Sequence, residues 1–226
     1  MKVYFICGLA ADRRVFKHIV LPPSHEPVYL DWIRPEQHES LSNYALRMAK
    51  NIDTNENFSL IGLSMGGMIA IEIAKKFPPA FTLLISSIPS SEHLPKYYRV
   101  AGSFKLQQFI PISLIRRVAV LKRLFTTETS EDKEMLKDMI RKSDPYFIRW
   151  AMNAVLSWEN RNIPENLFQI HGGRDAILPG RYTAPTHTIL TGGHLMIMNH
   201  ASEINVILEK IFAGDNLPVS DSVAAS

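Results

Sequence analysis

Gly62-Leu63-Ser64-Met65-Gly66-Gly67 lies between an apolar run at residues 58–61 and a helix-patterned stretch at residues 68–77, and it constrains the fold more than any other part of the chain. A serine with a glycine two positions away on each side is the G-x-S-x-G pattern of a sharp strand-to-helix turn. Residues without a Cβ are needed there for neighbouring backbones to pass. Such a turn exposes the Ser64 hydroxyl at a sheet edge. It also aims the N–H of Met65, at the start of the helix, toward any negative charge that develops nearby. Gly67 eases close packing behind it. The competing reading is an ordinary glycine-rich turn carrying an idle serine.

Strand-like and helix-like segments alternate around this turn. Residues 3–7 read as a short strand stopped by Gly8, residues 28–30 as a second and residues 58–61 as a third. Residues 81–86 form a nearly unbroken apolar run, as expected of a parallel strand covered on both faces. Tyr44, Ala45, Met48 and Ile52 recur at helical spacing, which predicts a helix over 42–52 capped by Ser40 or Ser42. Pro78-Pro79 stops the helix over 68–77. This alternation predicts a parallel α/β sheet.

The rhythm changes over residues 90–158, where helical patterning replaces strands: over 106–125, interrupted by Pro111, over 130–142 with Ser130 as cap, and again after Pro145. We read this region as a helical cap. Strands return at 167–170 and 188–190, and a helix over 203–212 closes the fold. The expected organisation is a core of residues 1–89 and 159–213, a cap over 90–158, and a disordered tail over 214–226. A chain of 226 residues suits one sizeable core better than two domains.

Composition excludes several classes. A formal net charge of +3, without a dense basic stripe, argues against nucleic acid as a partner. Arg116, Arg117, Lys122 and Arg123 lie on an amphipathic stretch that could rest on a membrane surface, but such stretches more often pack on their own domain. No apolar run reaches the ~20 residues of a membrane span, so integral membrane association is not expected. The eight histidines are scattered with no HExxH or Cys/His cluster, so no metal site is expected. The single cysteine, Cys7, can form no internal disulfide and reads as a core residue. With no signal-peptide cleavage site after the first strand, a cytoplasmic location is the default expectation.

An active serine needs a base and a base needs an orienting carboxylate. His194, in Gly192-Gly193-His194 after the last strand, is the candidate base, with His200 as a competitor that reads as a cap or surface residue. Asp175, in His171-Gly172-Gly173-Arg174-Asp175, follows the penultimate strand and is the candidate acid. The order Ser, Asp, His matches that of enzymes built on this elbow. A second oxyanion donor belongs after the first strand, where the N–H of Leu9 follows Gly8. Tyr97, Tyr98, Trp150 and Trp158 are candidate pocket residues, although aromatic residues at such positions are more often core.

On Gly-Leu-Ser-Met-Gly-Gly, His-Gly-Gly-Arg-Asp with Pro179, and Gly-Gly-His, the chain resembles the α/β-hydrolase superfamily. It is similar in particular to compact carboxylesterases and enol-lactone hydrolases with a helical cap. The resemblance implies a three-layer fold with a mostly parallel sheet of about eight strands or slightly fewer. It also implies a Ser64–His194–Asp175 triad, backbone oxyanion donors at Leu9 and Met65, and no cofactor. The implied substrate is a small molecule with an ester, thioester or lactone bond, cleaved by acyl transfer. C–C bond cleavage, a lyase reaction or non-catalytic ligand binding are the rival uses of the same fold. Two departures stand out. Cys7-Gly8 replaces the His-Gly that many members carry, and only 19 residues separate Asp175 from His194. If that short link could not bring Asp175 to His194, Glu92 would be the reserve acid.

Overall fold

The computed structural model describes residues 1–103 and 129–214. The helical reading of 106–125, its four basic residues, and the tail from residue 215 onward lie outside them. Among the described residues, six strands form one all-parallel sheet: β1 (Lys2–Ile6), β2 (Glu26–Leu30), β3 (Phe58–Leu63), β4 (Thr82–Ile85), β5 (Leu167–Gly172) and β6 (His187–Ile189). Their order is β2-β1-β3-β4-β5-β6. β2 starts earlier than its apolar residues suggest, at Glu26, and continues through Pro27. A proline is tolerated there because β2 is an edge strand.

The helices follow the expected rhythm. They are α1 (Leu41–Met48), α2 (Met65–Ala74), α3 (Lys96–Ser103), α4 (Ser130–Lys142), α5 (Pro145–Leu156), a short α6 (Met196–Asn199) and α7 (Ala201–Ala213). Ser40, not Ser42, caps α1, by accepting from the Asn43 N–H. α4 is capped by Thr129, which accepts from the Asp132 N–H, so the expected cap at Ser130 is one residue late. Ser130 itself is the first helical residue. Helix α2 begins at Met65, directly after the serine, instead of at residue 68.

Side-chain alternation along the strands builds two apolar layers. Tyr4, Ile6, Leu60 and Leu84 face α1, α2 and α5. Val3, Phe5, Ile61, Leu83 and Ile85 face α4, α6 and α7. The two helices that follow the undescribed segment therefore pack on opposite layers. Trp150 of α5 stacks at 4.3 Å on Tyr44 and donates its Nε1–H to the Glu39 carbonyl. On the other side, Arg14 bonds Asp12 and also Asp138 of α4, and Lys17 pairs with Asp132. Among the described residues no helix is long and apolar enough to cross a membrane.

The strand order sets where a site can form. The chain moves outward from β1 to β2, then returns to place β3 on the other side of β1. The loops leaving β1 and β3 therefore diverge at a topological switch point, and a crevice opens beyond the carboxyl ends of these strands. Gly8-Leu9 and Ser64 lie on those two loops. Asp175 and His194 lie on the loops after β5 and β6, at the same edge.

Candidate active site

Ser64 sits between β3 and α2 with φ 52° and ψ −120°. That left-handed backbone costs a non-glycine residue on the order of 1–3 kcal/mol, so the surroundings must enforce it. They do so by contact and by hydrogen bonds. A Cβ on Gly62 would meet Gly67 Cα at 2.4 Å, and one on Gly66 would meet the Ile6 carbonyl oxygen at 2.2 Å. The backbone of the turn is thus wedged against itself and against β1. The Ser64 N–H donates to the Ile85 carbonyl at 2.9 Å, and the Ser64 carbonyl accepts from Ser87 Oγ at 2.6 Å.

The three side chains singled out by sequence meet. His194 Nε2 lies 2.9 Å from Ser64 Oγ, and His194 Nδ1 lies 2.8 Å from Asp175 Oδ2. Asp175 is buried, and its other oxygen, Oδ1, accepts from the N–H groups of Ile177 and Leu178, both at 2.9 Å. Burial alone would push its pKa up. The charge of His194, hydrogen bonds from His171 and His194 and the Leu178 N–H together outweigh burial, and the carboxyl is held well below the ordinary range. With Asp175 accepting at Nδ1, the neutral imidazole carries its proton there and presents Nε2 as an acceptor to the serine hydroxyl.

The short link between Asp175 and His194 does reach. It contains β6 and only a 3-10 turn, Gly180–Tyr182, where a longer connection would carry a helix. Glu92 is not needed as reserve acid: it lies in the turn Ser91–His93, is 62% exposed and pairs with Arg161 at 3.4 Å. His200 stands at the start of α7, with its ring bonded to Glu203, and does not join the site. Cys7 is buried, and burial pushes its thiol far above the usual range, as expected of a core residue.

The loop after β1 packs beside the serine. A Cβ on Gly8 would lie 3.3 Å from Ser64 Cβ, and the Ala11 N–H closes a turn onto the Gly8 carbonyl. Trp32 Nε1 donates to the Ala11 carbonyl and steadies that turn, a contact that nothing in the linear sequence signals. Leu9 and Met65 both line the cavity in front of Ser64.

That cavity, about 320 Å³, is walled by Leu94, Tyr98 of α3, Leu136 and Ile140 of α4, and Ile148, Met152, Val155 and Leu156 on or next to α5. Among the described residues that line it there is no Asp, Glu, Lys or Arg. Burial pushes the Tyr98 phenol up to about 12, so it stays protonated at working pH. Of the four aromatic candidates only Tyr98 lines the cavity. Tyr97 is half exposed, Trp150 is core, and Trp158 is buried with its Nε1–H bonded to Glu72. The sequence reading missed His171. It is fully buried and 3.4 Å from Asp175 Oδ2, and its place in the His-Gly-Gly-Arg-Asp motif was the available signal.

Comparison with known proteins adds to this geometry. No protein-family model matches the sequence. The chain is similar to a pimeloyl-[acyl-carrier protein] methyl ester esterase of Neisseria meningitidis serogroup A, 23% identical over 235 residues. The match covers 89% of this chain and 70% of the relative. The serogroup C counterpart is also 23% identical, with 86% of its length covered. Among solved structures, an esterase from Thermogutta terrifontis aligns with a TM-score of 0.69 at 17% identity, covering 95% of this chain and 90% of the other. MenH from S. aureus aligns at 0.71 and 14% identity, covering 95% and 94%. A bromoperoxidase from Bacillus anthracis aligns at 0.68 and 16%, covering 95% and 92%. Likeness at such identities establishes a shared fold.

Proposed function

We propose that this chain, an α/β-hydrolase by fold, is a serine esterase that cleaves carboxylic esters with an apolar acyl part through an acyl-enzyme on Ser64. The observation that carries the reading is the hydrogen-bonded line from Asp175 through His194 to Ser64, ending at the mouth of a cavity whose described lining holds no Asp, Glu, Lys or Arg.

In this mechanism Ser64 Oγ attacks the ester carbonyl carbon while its proton passes to His194 Nε2. The carbonyl oxygen becomes an oxyanion that accepts from the N–H groups of Leu9 and Met65, each worth on the order of 3 kcal/mol to the barrier. The tetrahedral intermediate collapses, the C–O bond to the alcohol breaks, and the alcohol takes the proton from His194. Water then attacks the acyl-serine, giving its proton to His194. The acid departs as the proton returns to Ser64 Oγ. Asp175 keeps the His194 ring in one orientation and offsets its charge when it is protonated.

α3, α4 and α5 act here as a cap whose apolar side chains receive the acyl group. The curated relatives are named for a methyl ester of pimeloyl-[acyl-carrier protein], which brings methyl esters of extended acyl chains into the proposed class. Thioesters and lactones fit the same machinery. The non-catalytic reading is disfavoured by a base already within 2.9 Å of the serine oxygen.

The test is turnover of p-nitrophenyl esters of rising chain length, with fluorophosphonate labelling alongside. Wild type is expected to label and to hydrolyse the esters, while Ser64→Ala and His194→Ala lose roughly 10⁶-fold in kcat. A wild-type protein that neither labels nor turns over any ester would overturn the reading in favour of a ligand-binding protein.

A further inference from the structure

We propose that His171 is a positioning residue for the triad acid: its Nε2–H holds the Leu178 carbonyl beneath the Asp175 carboxylate, and Gln169 selects the imidazole tautomer this requires. The proposal rests on the triad reading above and extends it to a residue that touches no substrate.

The argument starts from the Gln169 amide. Thr183 Oγ1 donates to Gln169 Oε1 at 3.0 Å, and Gln169 Nε2 donates to the Ser87 carbonyl at 2.8 Å. These two partners fix which end of the amide is nitrogen. With that orientation, Gln169 Nε2 lies 3.2 Å from His171 Nδ1, so Nδ1 must accept and the ring proton sits on Nε2. His171 Nε2 in turn faces the Leu178 carbonyl at 2.5 Å and Asp175 Oδ2 at 3.4 Å. The Leu178 N–H donates to Asp175 Oδ1, which closes a ring of contacts around the carboxylate.

The opposite tautomer would set a bare nitrogen lone pair against a carbonyl and a carboxylate in a fully buried place, where an unmade hydrogen bond is costly. The side chain here must accept at one end and donate at the other across the width of a ring. A neutral imidazole does this. The same network reaches the nucleophile, because Ser87, whose carbonyl accepts from Gln169, donates its Oγ–H to the Ser64 carbonyl. The acid loop and the serine turn therefore share one polar brace below the reacting atoms. A carboxylate free to rotate would lose its alignment with His194 Nδ1, and misplacement of about 1 Å costs on the order of 10² in rate.

The experiment combines kinetics with ¹⁵N NMR of the imidazoles. His171→Leu is expected to lower kcat for a p-nitrophenyl ester about 10²-fold with KM unchanged. His171→Gln keeps an N–H directed at the Leu178 carbonyl and is expected to recover most of that loss. The wild-type spectrum is expected to show the His171 proton on Nε2, and the downfield proton between His194 and Asp175 is expected to weaken in His171→Leu. An unchanged kcat in folded His171→Leu, a change in KM alone, or a wild-type proton on Nδ1 would each overturn the proposal. If the leucine variant does not fold, the wild-type tautomer and the glutamine variant decide. Failure of the triad reading would show instead as turnover retained in Ser64→Ala.

Discussion

The serine turn and the acid loop face each other across one sheet edge, and they are held in different proportions, the turn chiefly by steric fit and the loop chiefly by polar pairing. The turn around Ser64 is chiefly a steric fit: glycine backbones wedge against each other and against β1, and two hydrogen bonds to the Ser64 backbone help hold its strained φ. The loop carrying Asp175 is held by polar pairing: both carboxylate oxygens are engaged, and a buried histidine and glutamine stand behind them. A steric fit should tolerate no added volume yet be indifferent to pH. A polar brace should accept substitutions of equal size and fail when a charge or a donor is removed.

Substitutions on each side can break this contrast. Asp175→Asn preserves volume but removes the charge and the acceptor for His194 Nδ1. Esterase activity should fall about 10⁴-fold while the fold persists by circular dichroism. Near-normal turnover would show that the carboxylate does not orient the base. Gly66→Ala adds one methyl group to the wedged turn. Its Cβ cannot coexist with the Ile6 carbonyl, so denaturant midpoints should report a loss of about 3 kcal/mol or more. A variant as stable as wild type would mean that the turn has slack.

Acid titration probes the polar side alone. The Asp175 carboxyl is depressed in the folded protein, so its stabilisation is fully present above the unfolded value near 3.9 and is lost as pH falls toward the folded one. The difference in thermal midpoint between wild type and Asp175→Asn should therefore hold from pH 7 to about pH 5 and shrink only below that. A difference that decays near neutral pH would contradict a depressed carboxyl. The smallest effect belongs to Glu92→Gln. Its exposed pair with Arg161 should contribute between about 0 and 1 kcal/mol, and ester turnover should not change. A large loss of activity would return Glu92 to the site.

The two regions also differed in how much of them could be read from the chain. Gly62, Ser64 and Gly66 announce the turn within five consecutive residues, although only the Gly62 clash is local: the Cβ that Gly66 lacks would meet β1. Asp175 and His194 were legible through their places after strands, but whether so short a link could join them was not. Only the pairing of β5 with β6, which sets Ile170 beside His187, answers that. His171 stands in the same motif as Asp175, yet nothing else in the sequence marks it out. Its role depends on Gln169, Ser87 and Leu178, whose proximity no spacing rule reveals. Thr129 displaced Ser130 as the α4 cap because two adjacent hydroxyl residues compete for one helix end, and the backbone decides between them.

The sequence by itself determined the parallel α/β plan and singled out Ser64, His194 and Asp175 as candidates, with Glu92 in reserve, because strand periodicity and the glycine-flanked turn are short-range properties. The tertiary structure decided the cavity wall, the choice of Asp175 over Glu92, and the brace behind the carboxylate. These depend on residues distant in the chain, such as Gln169 and Ser87, 82 positions apart, that meet only when the sheet is assembled. The residue pattern of a turn is written in consecutive positions, whereas hydrogen-bond partners for a buried carboxylate are recruited from wherever the packed sheet delivers them.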